Sequence, residues 1–184
     1  MSTREEHAIV LDFLPHGYPL DDRPSHQKTA IVQAIGKNHL ILLELVPKRE
    51  LAMQSQEVVY IGSDKREKIH HINGKLPLSK LTQTGKNELE FALNKIIDDN
   101  EERFVGFFNN APPLSSRMHS LELIPGLGKK RMWEIIEERR GDPFKSFEDL
   151  KTRISLMPDP KKAIIRRIIQ EFEGTEKHFL FVGQ

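Results

Sequence analysis

The stretch LELIPGLGKKRMWEIIEER (121–139) constrains this chain more than any other part of it. Leu121 and Ile124 carry the apolar spacing of a helix end, and Pro125-Gly126 cannot continue it. Leu127 sits between two glycines and is expected to turn back into a small core. Gly128 then opens a second helix, whose apolar stripe reads Met132, Trp133, Ile135 and Ile136. The chain must therefore make a tight, glycine-lined bend between two short helices.

That arrangement is a helix-hairpin-helix pattern, and its chemistry follows from main-chain geometry. A helix start leaves its first amides without intrahelical partners, and the helix dipole adds partial positive charge there. Glycines at 126 and 128 remove the Cβ atoms that would hold a phosphate off the backbone. Lys129 and Lys130 bring full charges to the same spot. The expected ligand is a phosphodiester gripped without reading base identity. Gly126, Leu127, Gly128, Lys129 and Lys130 would hold it, with Arg131 and Lys162 in support. GLGKK is not a nucleotide P-loop, which needs G-x-x-x-x-G-K-[ST], and Arg131 stands where a dinucleotide fingerprint requires its third glycine.

The hairpin recurs. A shift of 33 residues lays Leu121 on Ile154, Ile124 on Met157, Pro125 on Pro158, Lys129 on Lys162, Ile135 on Ile168 and Glu138 on Glu171. The second copy, ISLMPDPKKAIIRRIIQEF, keeps the core positions but replaces Gly126, Leu127 and Gly128 by Asp159, Pro160 and Lys161. One hairpin buries too little apolar surface to fold alone, so two packed with pseudo-twofold symmetry are expected. Asp159 would repel phosphate, which makes the second copy structural first. Lys161, Lys162, Arg166 and Arg167 behind it add a weak electrostatic contribution. Ser146-Phe147-Glu148-Asp149 has capping-box spacing and starts the helix that joins the copies.

Upstream, short β-branched runs replace the helical spacing. AIVLDFL (8–14), TAIVQAI (29–35), HLILLELV (39–46), QEVVYIGS (56–63) and KIHHING (68–74) read as five short strands, with Gly36-Lys37-Asn38 as a hairpin loop. Leu89, Leu93, Ile96 and Ile97 then mark one face of a helix from about Asn87 to Asn100. RFVGFFNNAPP (103–113) reads as an extended piece and a linker, because paired prolines continue neither a helix nor a central strand. HFLFVG (178–183) reads as a last strand that joins the N-terminal sheet or a partner's. The expected fold class is α+β. An OB-like antiparallel β-barrel with one helix (1–110) precedes an all-α tandem helix-hairpin-helix domain (114–175) and a terminal strand (176–184).

Composition narrows the function. Without cysteine there is no disulfide, thiolate zinc site or thiol nucleophile. No apolar run nears the roughly 18 residues of a bilayer span. MSTREEHAIVL carries two acids before a short apolar run, unlike a signal or transit peptide, so a cytoplasmic location without membrane contact is expected. From Ser115 onward lie 14 of the 28 basic residues and 11 of the 27 acids, giving +3 there and −2 before it. That polarity is mild, and it points toward an anionic partner.

At these residues the chain resembles the tandem helix-hairpin-helix domains of DNA and RNA repair, recombination and processing proteins. Its wider pattern (VLDFLPHG, LLELVPK, VVYIGSDKREKI, RFVGFFNNAPP, then LELIPGLGKKRMWEIIEER) is similar to an uncharacterised archaeal family of nucleotide- or nucleic-acid-binding character, over nearly the whole chain. The resemblance implies an OB-like barrel followed by helix-hairpin-helix, and lends fold more than function. It implies phosphate on the hairpin amides. It also implies a monovalent cation on hairpin carbonyls, by position those of Glu122, Ile124 and Leu127. An OB-like barrel stacks bases on aromatic side chains along a basic groove. Tyr60, Lys65, Arg66, Lys68, His70 and His71 are the candidates for that second surface, although several of the 13 aromatic residues must fill the core.

No motif nominates an enzyme, a resident metal or a cofactor. Asp142 and Asp149 follow the hairpin as a glycosylase acid would, but the hydrophobic-Asp-x-His strand is missing. The roughly 70 residues after the linker are also too few for a two-lobed base-flipping domain. Adjacent His70 and His71 are expected on opposite faces of a strand, no H-E-x-x-H occurs, and Asp98-Asp99 with Glu101-Glu102 reads as a solvated helix end. The expectation is a protein that binds DNA or RNA without sequence preference. Two alternatives stay open. One is a protein–protein adaptor, with a second copy or another protein on the hairpins; the other is a nuclease or glycosylase whose acids converge only in the fold.

Overall fold

Apolar runs broken by turn residues set the sheet. A computed structural model, which describes residues 4–184, forms the five expected strands as β1 (His7–Leu14), β2 (Ile31–Gly36), β3 (Leu42–Pro47), β4 (Val58–Tyr60) and β5 (Ile69–Lys75). Every pairing is antiparallel, in the order β4-β1-β2-β3-β5, with Val32 opposite Leu45 and His7 opposite Tyr60. The sheet curls into a half-barrel whose edges β4 and β5 do not pair. The expected barrel is thus open: β4 offers only three residues, and it runs in the same sense as β5. Ala8, Val10, Val32, Ala34, Leu43, Leu45, Val59, Ile61 and Ile69 form its apolar cluster. Each large side chain fully buried there contributes about 1.5–3 kcal/mol.

Two buried polar side chains fix the loops of this half. Gln33 donates from Nε2 to the Lys80 carbonyl at 2.8 Å and accepts the Thr82 N–H at 3.0 Å. The Glu5 carboxylate accepts the N–H groups of Asn38 at 2.8 Å and His39 at 2.6 Å, closing the β2–β3 turn. Gly36 leaves the room this needs, since a Cβ there would lie 2.0 Å from Glu5 Cδ.

Helices follow. α1 (Gln83–Asp99) buries Leu89, Ala92, Leu93, Ile96 and Ile97, as the spacing predicts. α2 (Glu101–Asn110) corrects the extended reading of 103–113. Phe104, Val105 and Phe108 form one buried stripe at helical spacing, and Glu101 and Glu102 suit the positive end of the helix. The Phe108 and Ala111 carbonyls at its other end each accept Arg139 Nη1 at 3.1 Å. A 3₁₀ turn (Ser120–Leu123) leads to α3 (Gly128–Gly141), α4 (Phe147–Arg153) and α5 (Pro160–Phe172). Ser146 caps α4 as expected, accepting the Asp149 N–H at 3.0 Å.

The fold is α+β, with five strands and five helices among the described residues. The chain divides into two compact units, one running up to Ala92 and including Glu171–Gln184, the other Leu93–Gln170. The divisions fall inside α1 and α5, and Pro112-Pro113 lies within the second unit. Residues 176–184, expected as a strand, run as irregular chain. The buried Glu171 carboxylate collects the N–H groups of Leu180, Phe181 and Val182 at 2.7, 3.2 and 2.8 Å, and Gly183 donates to the His39 carbonyl at 2.7 Å. Amides that converge on one side chain cannot also run a ladder. No helix among the described residues is long and apolar enough to cross a membrane.

Candidate nucleic-acid interface

The first hairpin starts from a 3₁₀ turn rather than an α-helix end. His119 Nδ1 accepts the Leu121 N–H at 3.1 Å, the His119 N–H reaches Glu122 Oε1 at 3.4 Å, and the Ser120 hydroxyl donates to the Pro112 carbonyl at 2.6 Å. Burial and then the charge of Arg139 hold His119 below its usual pKa, with Glu122 pulling the other way. Gly126 and Gly128 take φ values of +78° and +75°, a region that glycine enters without cost. Between them Leu127 is fully buried, as expected.

The start of α3 is open. No side chain caps it, and a Cβ added at Gly126 or Gly128 would meet nothing within 4 Å. Lys129 and Lys130 are exposed beside it, and neither forms an ion pair among the described residues. The second hairpin differs at the equivalent place. Asp159, aligned with Gly126, accepts the Lys162 N–H on its own Oδ1 at 3.2 Å. Lys161 is tied to Asp98 at 2.6 Å, and the Lys162 side chain is exposed. One copy thus carries an internal anion where the other has free space.

Arg131 has partners of its own. Its Nε donates to the Leu156 carbonyl at 2.7 Å and its Nη1 to the Leu127 carbonyl at 3.3 Å, linking the two hairpins. Of the carbonyls named for a monovalent cation, Ile124 accepts the Leu127 N–H at 3.2 Å, and Leu127 accepts this guanidinium. Trp133 leaves the expected stripe. Met132, Ile135 and Ile136 are buried, whereas Trp133 is 58% exposed, because it lies about 100° around the helix from Met132.

The second candidate surface is only partly assembled. Tyr60 is half-buried, with its ring edge-on to His7 at 5.4 Å and its hydroxyl accepting the Asp64 N–H at 3.1 Å. Lys65 is exposed, Arg66 donates to the Gly62 carbonyl at 2.8 Å, and Lys68 pairs with Glu57. His70 and His71 do not face apart as expected. Their rings meet at 5.0 Å, with Nδ1 atoms 2.7 Å apart, where the β3–β5 register shifts and makes His70 an extra residue. A cleft of about 580 Å³ in this unit has Ile41, Leu43, Ile61 and Ile72 as its apolar part and Arg4, Arg66 and Lys75 as its cations. Only Arg66 of the six candidates lines it.

At the far end of α3, Glu138, Asp142 and Asp149 line a cleft of about 330 Å³ with Lys145 and Arg153. Arg153 reaches Asp149 at 3.3 Å and Glu138 at 3.5 Å, and donates to the Asp142 carbonyl at 2.7 Å. The Lys145 N–H and then Arg153 hold the Asp149 carboxyl below the usual carboxylate range. Among the described residues no three acids or histidines come together as a metal site.

A family model described as a protein of unknown function, DUF655, matches residues 4–183. The chain belongs to the DUF655 family. The uncharacterized protein MJ0038 of Methanocaldococcus jannaschii is 42% identical over 180 residues, covering 97% of this chain and 80% of that one. A solved DUF655 structure, Af1531 from Archaeoglobus fulgidus, aligns with a TM-score of 0.88 at 40% identity, over 97% of this chain and 100% of its own. The α+β fold is therefore shared with a solved DUF655 relative.

Proposed function

We propose that this chain binds nucleic acid, DNA or RNA, by the phosphate backbone and without sequence preference. In this reading the half-barrel is OB-like and the helical unit is a tandem helix-hairpin-helix. The amides of Gly126, Gly128, Lys129 and Lys130 and the two ammonium groups face the phosphate, Lys162 adds charge, and Arg131 positions the hairpin; Leu127, whose N–H is taken by the Ile124 carbonyl, holds the bend from within the core. The supporting observation is the contrast between the two copies. α3 begins with no side-chain cap and open space before Gly126 and Gly128, while Asp159 fills the matching place on α5. An uncapped helix start with two unpaired lysines suits an oxyanion from outside.

Filter binding of single- and double-stranded DNA and RNA over a salt series tests this. Each neutralised phosphate should contribute about 0.7–0.9 to the log–log slope. Lys129→Glu with Lys130→Glu should flatten the slope and weaken every ligand; a folded double variant that binds like the wild type removes the hairpin from the reading.

The exposure of Trp133 favours a second reading, a protein adaptor docked on α3. That reading expects binding to a protein partner that survives high salt and the loss of both lysines. For the enzyme alternative, Asp142 and Asp149 do share a cleft, but Asp149 is spent on Arg153 and Lys145.

A further inference from the structure

We infer that Trp133 stacks on an unpaired base, so that the ligand is single-stranded; this rests on the phosphate reading of the hairpin. Trp133 is the chain's single tryptophan, and 58% of it is exposed. Lys129 and Lys130 precede it by four and three residues, so they flank the indole on one helical face. Gly128 lies five residues earlier, about 7.5 Å of helix rise. That distance suits a phosphate at the bend and a base of the same short stretch over the ring. Glu137, one turn further on, is paired with Arg140 at 3.0 Å, and Glu134, one turn beyond Lys130, forms no ion pair with either lysine among the described residues.

The class of ligand follows from what an indole can reach. A duplex presents base edges in its grooves and buries base faces, so stacking there requires unpairing. A single strand offers a π-face on every base and a backbone that the lysines neutralise. A protein partner fits less well, because two unpaired ammonium groups beside the indole would have to be desolvated.

The single tryptophan makes the test direct. The full chain is titrated with a fluorescein-labelled oligothymidylate and with a hairpin duplex of equal length, reading fluorescein anisotropy for binding, with unlabelled copies of both used to read tryptophan emission. Oligothymidylate should quench Trp133 and the duplex should not. Trp133→Ala should weaken oligothymidylate about tenfold and duplex less than about twofold, with Trp133→Phe between them. The exposed position makes Trp133→Ala safe for the core, which thermal unfolding checks. If oligothymidylate binds and Lys129→Glu/Lys130→Glu weakens it, but emission and Trp133→Ala affinity do not change, stacking is overturned and the phosphate reading stands. Equal quenching by both ligands overturns the single-strand preference. Binding of neither ligand overturns both readings.

Discussion

Asp159 closes the amide end of its own helix, with Oδ1 3.2 Å from the main-chain nitrogen of Lys162. Gly126 occupies the same repeat position in the first hairpin, with nothing within 4 Å of where a Cβ would be. The two copies therefore form a controlled pair, one with an internal anion and one without.

Gly126→Asp should bring a carboxylate to the bend before α3, two residues ahead of the helix where Asp159 stands one residue ahead of α5. Aspartate tolerates a positive φ better than most residues, so the backbone cost should stay near ~1 kcal/mol. Circular dichroism should be unchanged, while oligonucleotide affinity falls about tenfold or more through occupied amides and added repulsion. Gly126→Ala carries the backbone cost without the charge and should lose much less affinity. Equal losses in both variants would show that the charge plays no part.

Arg131 is expected to matter for stability ahead of binding. Arg131→Ala strips hydrogen bonds from the Leu127 and Leu156 carbonyls, at a cost of about 1–2 kcal/mol in urea unfolding. Arg131→Lys should recover little, because one ammonium does not reproduce the guanidinium fork. A variant of wild-type stability with affinity as poor as the lysine double mutant would return Arg131 to the set of direct phosphate contacts.

His119 makes the hairpin sensitive to acid. Its Nδ1 must be unprotonated to accept the Leu121 N–H, and its folded pKa is held below the ordinary 6.5, by burial first and Arg139 next. Below about pH 6.5 the unfolded chain takes up a proton that the folded chain resists, so stability falls with pH there and levels off once the folded imidazole titrates. Far above that value both states are neutral and the term vanishes. His119→Asn keeps an acceptor without titrating. The urea midpoint of the wild type should fall relative to this variant between about pH 7.5 and 5.5; parallel profiles would contradict the assignment.

Gly36 is needed for space rather than for backbone freedom. Gly36→Ala forces a Cβ into the Glu5 carboxyl and should cost about 1–3 kcal/mol. Glu5→Ala strands the Asn38 and His39 amides and should cost a similar ~1–3 kcal/mol. Combined, the losses should be far from additive, since removing Glu5 removes the clash. Additive urea midpoints would disprove the coupling.

Much of the fold was legible because periodicity reports burial directly. Ile9, Leu11, Val32 and Leu45 lie in strands read from short apolar runs, and Leu89, Leu93, Ile96 and Ile97 share the face their spacing predicts. α2 is less legible because Pro112-Pro113 gives its segment the composition of a linker, while the helical spacing of Phe104, Val105 and Phe108 is the signal that marks it. Residues 178–183 read as a strand because a short apolar run does not reveal that Glu171 takes its amides. At the hairpin, the tight bend and the buried Leu127 are readable from P-G-L-G; the positive φ of both glycines is what the structure adds. The partners of Arg131 are not readable there, since Leu156 lies 25 residues away in sequence and a carbonyl carries no residue identity. Trp133 belongs to the apolar stripe by residue type, but its place one turn after Lys129 and Lys130 puts it on their exposed face, away from Met132, Ile135 and Ile136.

Glu138 and Glu171 stand at matching repeat positions, yet one pairs with Arg153 and the other tethers the end of the chain. The C-terminal repeat turns its anions inward, onto its own helix and the chain's last residues. Variation at Asp159 and Glu171 should therefore be judged by whether the molecule holds together, and variation at Gly126 by whether anything holds on to it.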